Sequence, residues 1–275
     1  MRVLILTTVV MFAFAANSVL TRLALAEAVI GPSAFALVRL AAGAGMLTLL
    51  VLRKQRRLAV VTEISIWSVL SLSAYVLGFS YAYVSLETGA GALILFGGVQ
   101  VTMILGALIA GERPGIWRWI GAALAFGGLV YLLAPSARAP DPFGAALMLV
   151  AAIGWGGYSL LGRRVARPLS ATAANFLLSV PLGLAAFVLL ADSVPASPEG
   201  ITLAMVSGAA TSGLGYALWY AVLPRLAASM AAIAQLTVPI IASGGGILLL
   251  GESLSAQFVI ASVLVLGGVG ISIRN

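Results

Sequence analysis

The sequence predicts an all-α integral membrane protein of ten transmembrane helices arranged as two inverted five-helix repeats. Three observations predict it. Of 275 residues, 62% are hydrophobic and only 8% charged, whereas a soluble domain carries about 25% charged residues. Apolar runs of the roughly 20 residues needed to cross the hydrocarbon core recur ten times. The stretch 105–133, LGALIAGERPGIWRWIGAALAFGGLVYLL, has a counterpart at 245–273, GGILLLGESLSAQFVIASVLVLGGVGISI. Gly111-Glu112 falls on Gly251-Glu252, and Gly127-Gly128 falls on Gly267-Gly268, each shifted by 140 positions. Two dipeptides in one register point to a duplicated unit.

Taken in order, the first half gives spans near 3–24, 33–52, 64–84, 89–110 and 116–134. The second half gives 143–162, 170–191, 201–222, 227–250 and 255–273. The repeats are therefore 1–135 and 143–275, joined by a Pro- and Ala-rich connector at 136–142. Joints as short as 85–88 and 224–226 make antiparallel neighbours. Arg2, an apolar run and Ala13-Phe14-Ala15 imitate a signal peptide. Cleavage there would remove half of a repeat's first helix, so an uncleaved first span is expected.

The loops set the orientation. Sorted by ten alternating spans, one side holds Arg2, Arg53, Lys54, Arg56, Arg57, Arg113, Arg118, Arg163, Arg164, Arg167, Arg225 and Arg274. That is twelve of the fifteen basic residues. The other side receives Glu27, Glu87, Asp141, Asp192, Glu199 and Glu252, with Arg22 and Arg138. The positive-inside rule makes the first side cytoplasmic, with both termini there. Five spans per repeat then turn the second copy upside down. Glu112 and Glu252 come to opposite faces, and the expected role of each is capping a helix N-terminus rather than sharing one site.

Several function classes are excluded. The net charge of +7 reports loop sidedness and implies no nucleic-acid partner. The chain has no Cys and no His, which removes disulfides, thiolate metal sites and the commonest proton shuttle, so no metal and no cofactor is expected. An intramembrane enzyme would need a cluster of His, Asp, Glu or Cys at one depth, and none is offered. No phosphate loop of the GxxxxGK[ST] type is present. The implied partners are the bilayer and a small-molecule substrate, and the sequence does not specify an oligomeric state.

Polar groups inside spans are costly and mark candidates for function. Arg39 is the one basic residue well inside a span rather than at its end, suited to a carboxylate through its planar fork. Its alternative role is capping helix ends or snorkelling outward. Asn17, Gln100, Asn175 and Gln235 are amides able to meet either end of a zwitterion; their alternative role is gluing helices together. Tyr75 and Phe79 share one face of span three, and Tyr216 and Trp219 lie in span eight. With Phe96, Trp155 and Tyr158 they can wall an apolar cavity. Trp67, Trp117 and Trp119 fit an interfacial belt instead. Spans one, three, four, six, eight and nine are expected to line the cavity, with Arg39 and Asn175 near its edge. The glycines of spans five and ten (Gly121, Gly127, Gly128, Gly267, Gly268 and Gly270) are expected to permit close helix packing.

Arg39 in FALVR at 35–39, Gly111-Glu112, Gly127-Gly128, Pro239 in QLTVPI at 235–240, Gly251-Glu252 and Gly267-Gly268 together resemble the drug/metabolite transporter superfamily. The likeness is to its ten-helix EamA-type exporters. Val99 stands where such proteins often carry a second proline. The resemblance implies export of small metabolites, often amino acids including aromatic and neutral ones. It also implies alternating access through a central cavity in the inner membrane. Without an acidic residue mid-membrane, uniport is the expected mode. The competing expectations are a proton-coupled multidrug or nucleotide-sugar carrier and a non-transporting scaffold subunit.

Overall fold

The computed structural model describes residues 2–55, 65–109, 111, 115–134, 139–162, 165–222, 225–226, 234–235 and 237–272. Glu112, Arg113, Arg138, Arg163 and Arg164 lie outside these. The described residues form helices α1 (Arg2–Ala26), α2 (Pro32–Gln55), α3 (Ile66–Ala82), α4 (Thr88–Ile109) and α5 (Ile116–Leu133). They continue with α6 (Pro142–Gly162), α7 (Pro168–Leu190), α8 (Pro198–Val222), α9 (Thr237–Leu250) and α10 (Ala256–Ser272). No strand occurs among the described residues. Seven helices are long and apolar enough to cross a membrane, while α3, α9 and α10 are shorter apolar helices. Ala234 and Gln235, ahead of α9, are also helical. The expected span at 227–250 begins in part outside the described residues.

The helices start and stop for local reasons. Pro32, Pro142, Pro168 and Pro198 each open a helix, where a missing N–H costs nothing and φ is already helical. Gly111 and Gly251 have φ of +81° and +66°, the left-handed conformation that ends a helix and that other residues resist. The repeated Gly-Glu is thus a chain-reversal signal at the ends of α4 and α9. Outward faces are apolar, with Leu189 and Leu248 about four-fifths exposed (79% and 83%). Such a surface suits hydrocarbon, and helices satisfy their own backbone groups there.

Helix pairing is regular. The closest partners include α5 with α10, α2 with α7, α4 with α9, α3 with α6, and α1 with α8. Further pairs are α4 with α6, α1 with α9, α2 with α8, and α3 with α7. Exchanging each helix for the one five places away turns these pairs into one another: α3–α6 becomes α8–α1, and α4–α6 becomes α9–α1; α4 packs in addition on α1, α5 and α10, contacts that the described part of α9 does not match to the same extent. In the α5–α10 pair, a Cβ on Gly268 would lie 2.6 Å from Ala125 N and Gly121 O, and one on Gly121 would run into Gly268 O. Gly128 packs against Leu264 and Val265 in the same seam. Gly127, Gly267 and Gly270 face open space, so the expected packing role holds for one glycine of each Gly-Gly pair.

One end of the bundle gathers acidic side chains on helix N-termini. Asp192 accepts from Ser33 N and Ala34 N of α2 at 3.2 and 2.8 Å. Asp141 accepts from Gly144 N of α6 at 2.7 Å and from the Ser85 hydroxyl at 2.9 Å. Both oxygens of Glu252 lie 2.9 Å from Thr88 N, at the start of α4. Arg22 Nε stands 3.5 Å from Glu252, while its Nη1 donates to the carbonyls of Tyr83 and Val84. Glu252 was expected to cap the helix that follows it; the α9–α10 turn instead carries it to the helix it meets across the bundle. The acidic bias of this side has a physical source, because helix N-termini with their partial positive charge end here.

Candidate functional site

The site lies halfway along the helices, where the bundle brings α1, α3, α4, α6 and α8 together. A narrow cavity is lined by Phe14, Asn17, Ser18, Tyr75, Phe79, Leu95, Phe96, Trp155, Thr211, Ser212 and Tyr216. Its free space is a crevice between side chains, so a cargo molecule requires the helices to part.

Helix α8 makes the polar wall. Residues Ser207–Leu214 form a π-helical stretch within it, a wider coil that is rare and often found at functional sites. The run SGAATSGL is nearly all small, so it tolerates that geometry and allows close approach. A Cβ on Gly208 would meet the carbonyl oxygen of Arg39 and sit 2.9 Å from its Cα. Helix α8 therefore presses on α2 at Arg39. The same stretch turns Ser207 and Thr211 toward α1, where their hydroxyls lie 2.8 and 3.1 Å from Asn17 Oδ1. Asn17 Nδ2 in turn reaches the Tyr75 hydroxyl at 3.4 Å.

Arg39 is fully buried, neither capping a helix nor snorkelling. Its Nη2 donates to the Tyr75 hydroxyl at 2.8 Å and its Nε to Ser212 Oγ at 3.2 Å. Its Cζ lies 5.2 Å from the ring centroid of Tyr75 and 4.9 Å from that of Phe79, within cation–π range. Nη1 is buried with no hydrogen-bond partner. Among the described residues no carboxylate is paired with Arg39; it meets neutral hydroxyls and ring faces instead.

Aromatic rings form the rest of the wall. Trp155 lies 5.0 Å from both Tyr75 and Tyr216, and stacks on Tyr158 at 5.8 Å. Phe14 meets Tyr216 edge-on at 5.9 Å and Trp219 at 6.1 Å. Behind Trp155, Asn175 Nδ2 donates to the Tyr158 hydroxyl at 3.3 Å, which itself donates to Thr172 Oγ1 at 3.3 Å.

Of the residues singled out from sequence, Asn17, Tyr75, Phe79, Phe96, Trp155 and Tyr216 line the cavity. Arg39 stands directly behind Tyr75 and Ser212. Tyr158, Asn175 and Trp219 form an outer ring of support. Gln100 and Gln235 are half-buried and stand outside the lining, and no described residue of α9 joins it; residues 227–233 of the expected span nine lie outside the described residues. Phe14, Ser18, Leu95, Thr211 and Ser212 join the site without having been expected. Hydroxyls, one amide and one guanidinium are the polar groups of this centre. They are donors suited to an anionic or polar organic group rather than to a metal ion.

The comparisons with known proteins agree with this architecture. Residues 142–274 match the EamA-like transporter family. Over 272 residues the chain is 46% identical to an uncharacterized protein of Pseudomonas aeruginosa, covering 98% of this chain and 94% of that one. It is 26% identical over 214 residues to an uncharacterized transporter of Archaeoglobus fulgidus, covering 75% of each. It is 21% identical over 252 residues to the uncharacterized transporter YoaV of Bacillus subtilis, covering 87% of this chain and 86% of that one. A protein crystal structure superposes with a TM-score of 0.68 over 96% of this chain and 95% of the other, at 20% identity, which shows a shared fold. A near-complete relative, a matched second half and a ten-helix bundle around a polar centre lead to one assignment: the chain belongs to the EamA-like transporter family and is a multi-pass membrane transporter of small substrates.

Proposed function

We propose that this protein exports amino acids, aromatic and neutral ones included, by alternating access between two inverted repeats at 1–135 and 143–275. The observation that carries the reading is the central cavity, walled by α1, α3 and α4 from one half and by α6 and α8 from the other. A site shared between halves opens to either face when one half rocks against the other. The exchange of helix pairings between positions five apart supports the repeat. The rings of Phe14, Phe96, Trp155 and Tyr216 suit an apolar side chain, and the Asn17–Tyr75–Arg39 network suits the polar end of an amino acid. No carboxylate lies in the lining, which favours uniport over proton coupling. The bias of basic residues to one set of loops supports an inner-membrane orientation with both termini in the cytoplasm.

Purified protein in liposomes tests the reading. Labelled phenylalanine, leucine and alanine should each exchange against unlabelled internal amino acid faster than in empty vesicles, and imposing a proton gradient should leave the rate unchanged. Exchange no faster than in empty vesicles for every amino acid would overturn the cargo assignment. Acceleration by a proton gradient would overturn uniport.

A further inference from the structure

We infer that the recognised group of the cargo is its carboxylate, held by the guanidinium of Arg39, and that its amino group is dispensable. The inference rests on the transport reading above and narrows its substrate class to small carboxylates with an apolar body.

Three observations lead there. First, Arg39 is a fully buried cation in the membrane interior, and the described residues place no carboxylate on it. An uncompensated charge there is costly, and two ring faces offset only part of that cost. Second, its donors are unevenly used. Nε and Nη2 are held by Ser212 and Tyr75, which fixes the plane of the guanidinium, while Nη1 is buried and unpaired. A buried donor with no acceptor is rare in a folded protein and is explained most simply by a missing partner. Third, both holding residues line the cavity. A carboxylate that enters beside Tyr75 and Ser212 therefore meets a planar, oriented fork of the kind that pairs with carboxylates in two parallel bonds.

The ammonium of a zwitterion finds no equivalent. Among the described residues the lining has no acidic side chain, and Asn17 Oδ1 already accepts from Ser207. Ring faces and neutral hydroxyl oxygens, the unpaired Tyr216 hydroxyl among them, are what remains for a cation, and Arg39 repels it. Charge recognition is therefore one-sided: the acid end is bound and the amine is tolerated.

Three ligands of one size separate these contributions: phenylalanine, 3-phenylpropionate, which lacks the amine, and phenethylamine, which lacks the carboxylate. The measurement is competition against labelled phenylalanine in liposome exchange, paired with the ligand-induced thermal shift of the purified protein. The wild-type arm needs no substitution. We expect 3-phenylpropionate to compete within about threefold of phenylalanine and phenethylamine to be weaker by at least about tenfold, the scale of one charge-assisted hydrogen bond. Arg39→Gln should abolish that ranking, while Arg39→Lys should keep it with weaker binding overall. A purely structural Arg39 would lower stability in both variants and leave the ranking untouched. Phenethylamine competing as well as 3-phenylpropionate would overturn the carboxylate assignment and leave transport standing. Failure of all three ligands to bind or exchange would remove the transport reading itself, and the inference with it.

Discussion

Glu252 offers a perturbation whose size follows from the structure. Its carboxylate takes the Thr88 N–H at 2.9 Å from both oxygens and the Thr88 hydroxyl at 3.0 Å, and it faces Arg22 Nε at 3.5 Å. The last distance makes an ion pair rather than a hydrogen bond. Losing the cap on α4 costs about 1 kcal/mol. Removing a negative charge from a helix N-terminus adds about 0.5–1 kcal/mol. The ion pair adds about 0.5 kcal/mol, because the two side chains are 17% and 12% exposed and so partly screened. Glu252→Ala should therefore lose about 2–2.5 kcal/mol, and Glu252→Gln, which keeps a neutral acceptor, about 1 kcal/mol. Arg22 keeps its bonds to the carbonyls of Tyr83 and Val84, but its buried Nε loses the facing carboxylate charge, so both figures are lower bounds. On the scale of a chain of this size the midpoint should fall by about 5–10 °C for Ala and 2–4 °C for Gln. Thermal unfolding in detergent, followed by the loss of the monodisperse elution peak, reads both. A Glu252→Ala protein melting within about 1 °C of wild type would refute the assignment of this side chain to α4.

Other expectations can be checked with the same assay. Gly208→Ala drives a methyl into the Arg39 backbone, which cannot yield as a side chain would, and should cost about 1–3 kcal/mol. Asn17→Leu leaves the Ser207 hydroxyl without its acceptor, while Thr211 keeps its bond to the Ser207 carbonyl, and should cost about 1–3 kcal/mol while exchange activity falls. An unchanged melting point in either variant would contradict the contact it removes. Gly268→Leu should separate α5 from α10 and lower the melting point, whereas Gly267→Leu, facing open space, should leave it near wild type. The Gly144 N–H, followed by the Ser85 hydroxyl, holds the Asp141 carboxyl below its ordinary value. A carboxyl depressed in the folded state stabilises above its unfolded pKa of about 3.9 and loses that contribution as pH falls through the folded value. The melting-point gap between wild type and Asp141→Ala should accordingly be present at neutral pH and close on acidification. A gap that widens on acidification would contradict the sign.

The helices were legible because hydrocarbon thickness dictates run length and proline and glycine mark the ends. Nine of the ten expected spans lie within a few residues of the observed helices. Residues 227–233, at the start of the remaining one, are outside the described set. Which face of each helix turns inward was far less legible. These helices are apolar all round, so no amphipathic stripe reveals the bundle interior. Rarity of residue type was the available guide, and it selected Gln100 and Gln235, which lie outside the lining, together with Asn17, which lies inside it. Ser18, Thr211 and Ser212 were passed over because a hydroxyl in an apolar helix usually bonds its own preceding turn. One signal was present: the small-residue run at 207–213 breaks the large apolar rhythm of span eight, and it becomes the π-helical stretch. Arg39 was recognised as exceptional, but its setting among hydroxyls and rings depends on contacts 36 and 173 residues away in sequence.

The central claim is that one cavity faces the two sides of the membrane in turn. The chain contains no cysteine, so a single Ser18→Cys substitution places one thiol in the cavity lining of an otherwise unreactive protein. Labelling with a membrane-impermeant maleimide in right-side-out and in inside-out vesicles measures access from each face. Alternating access predicts modification from both sides and protection by saturating phenylalanine in each orientation. Modification from one side alone, at every substrate concentration and with the protein intact, would contradict it.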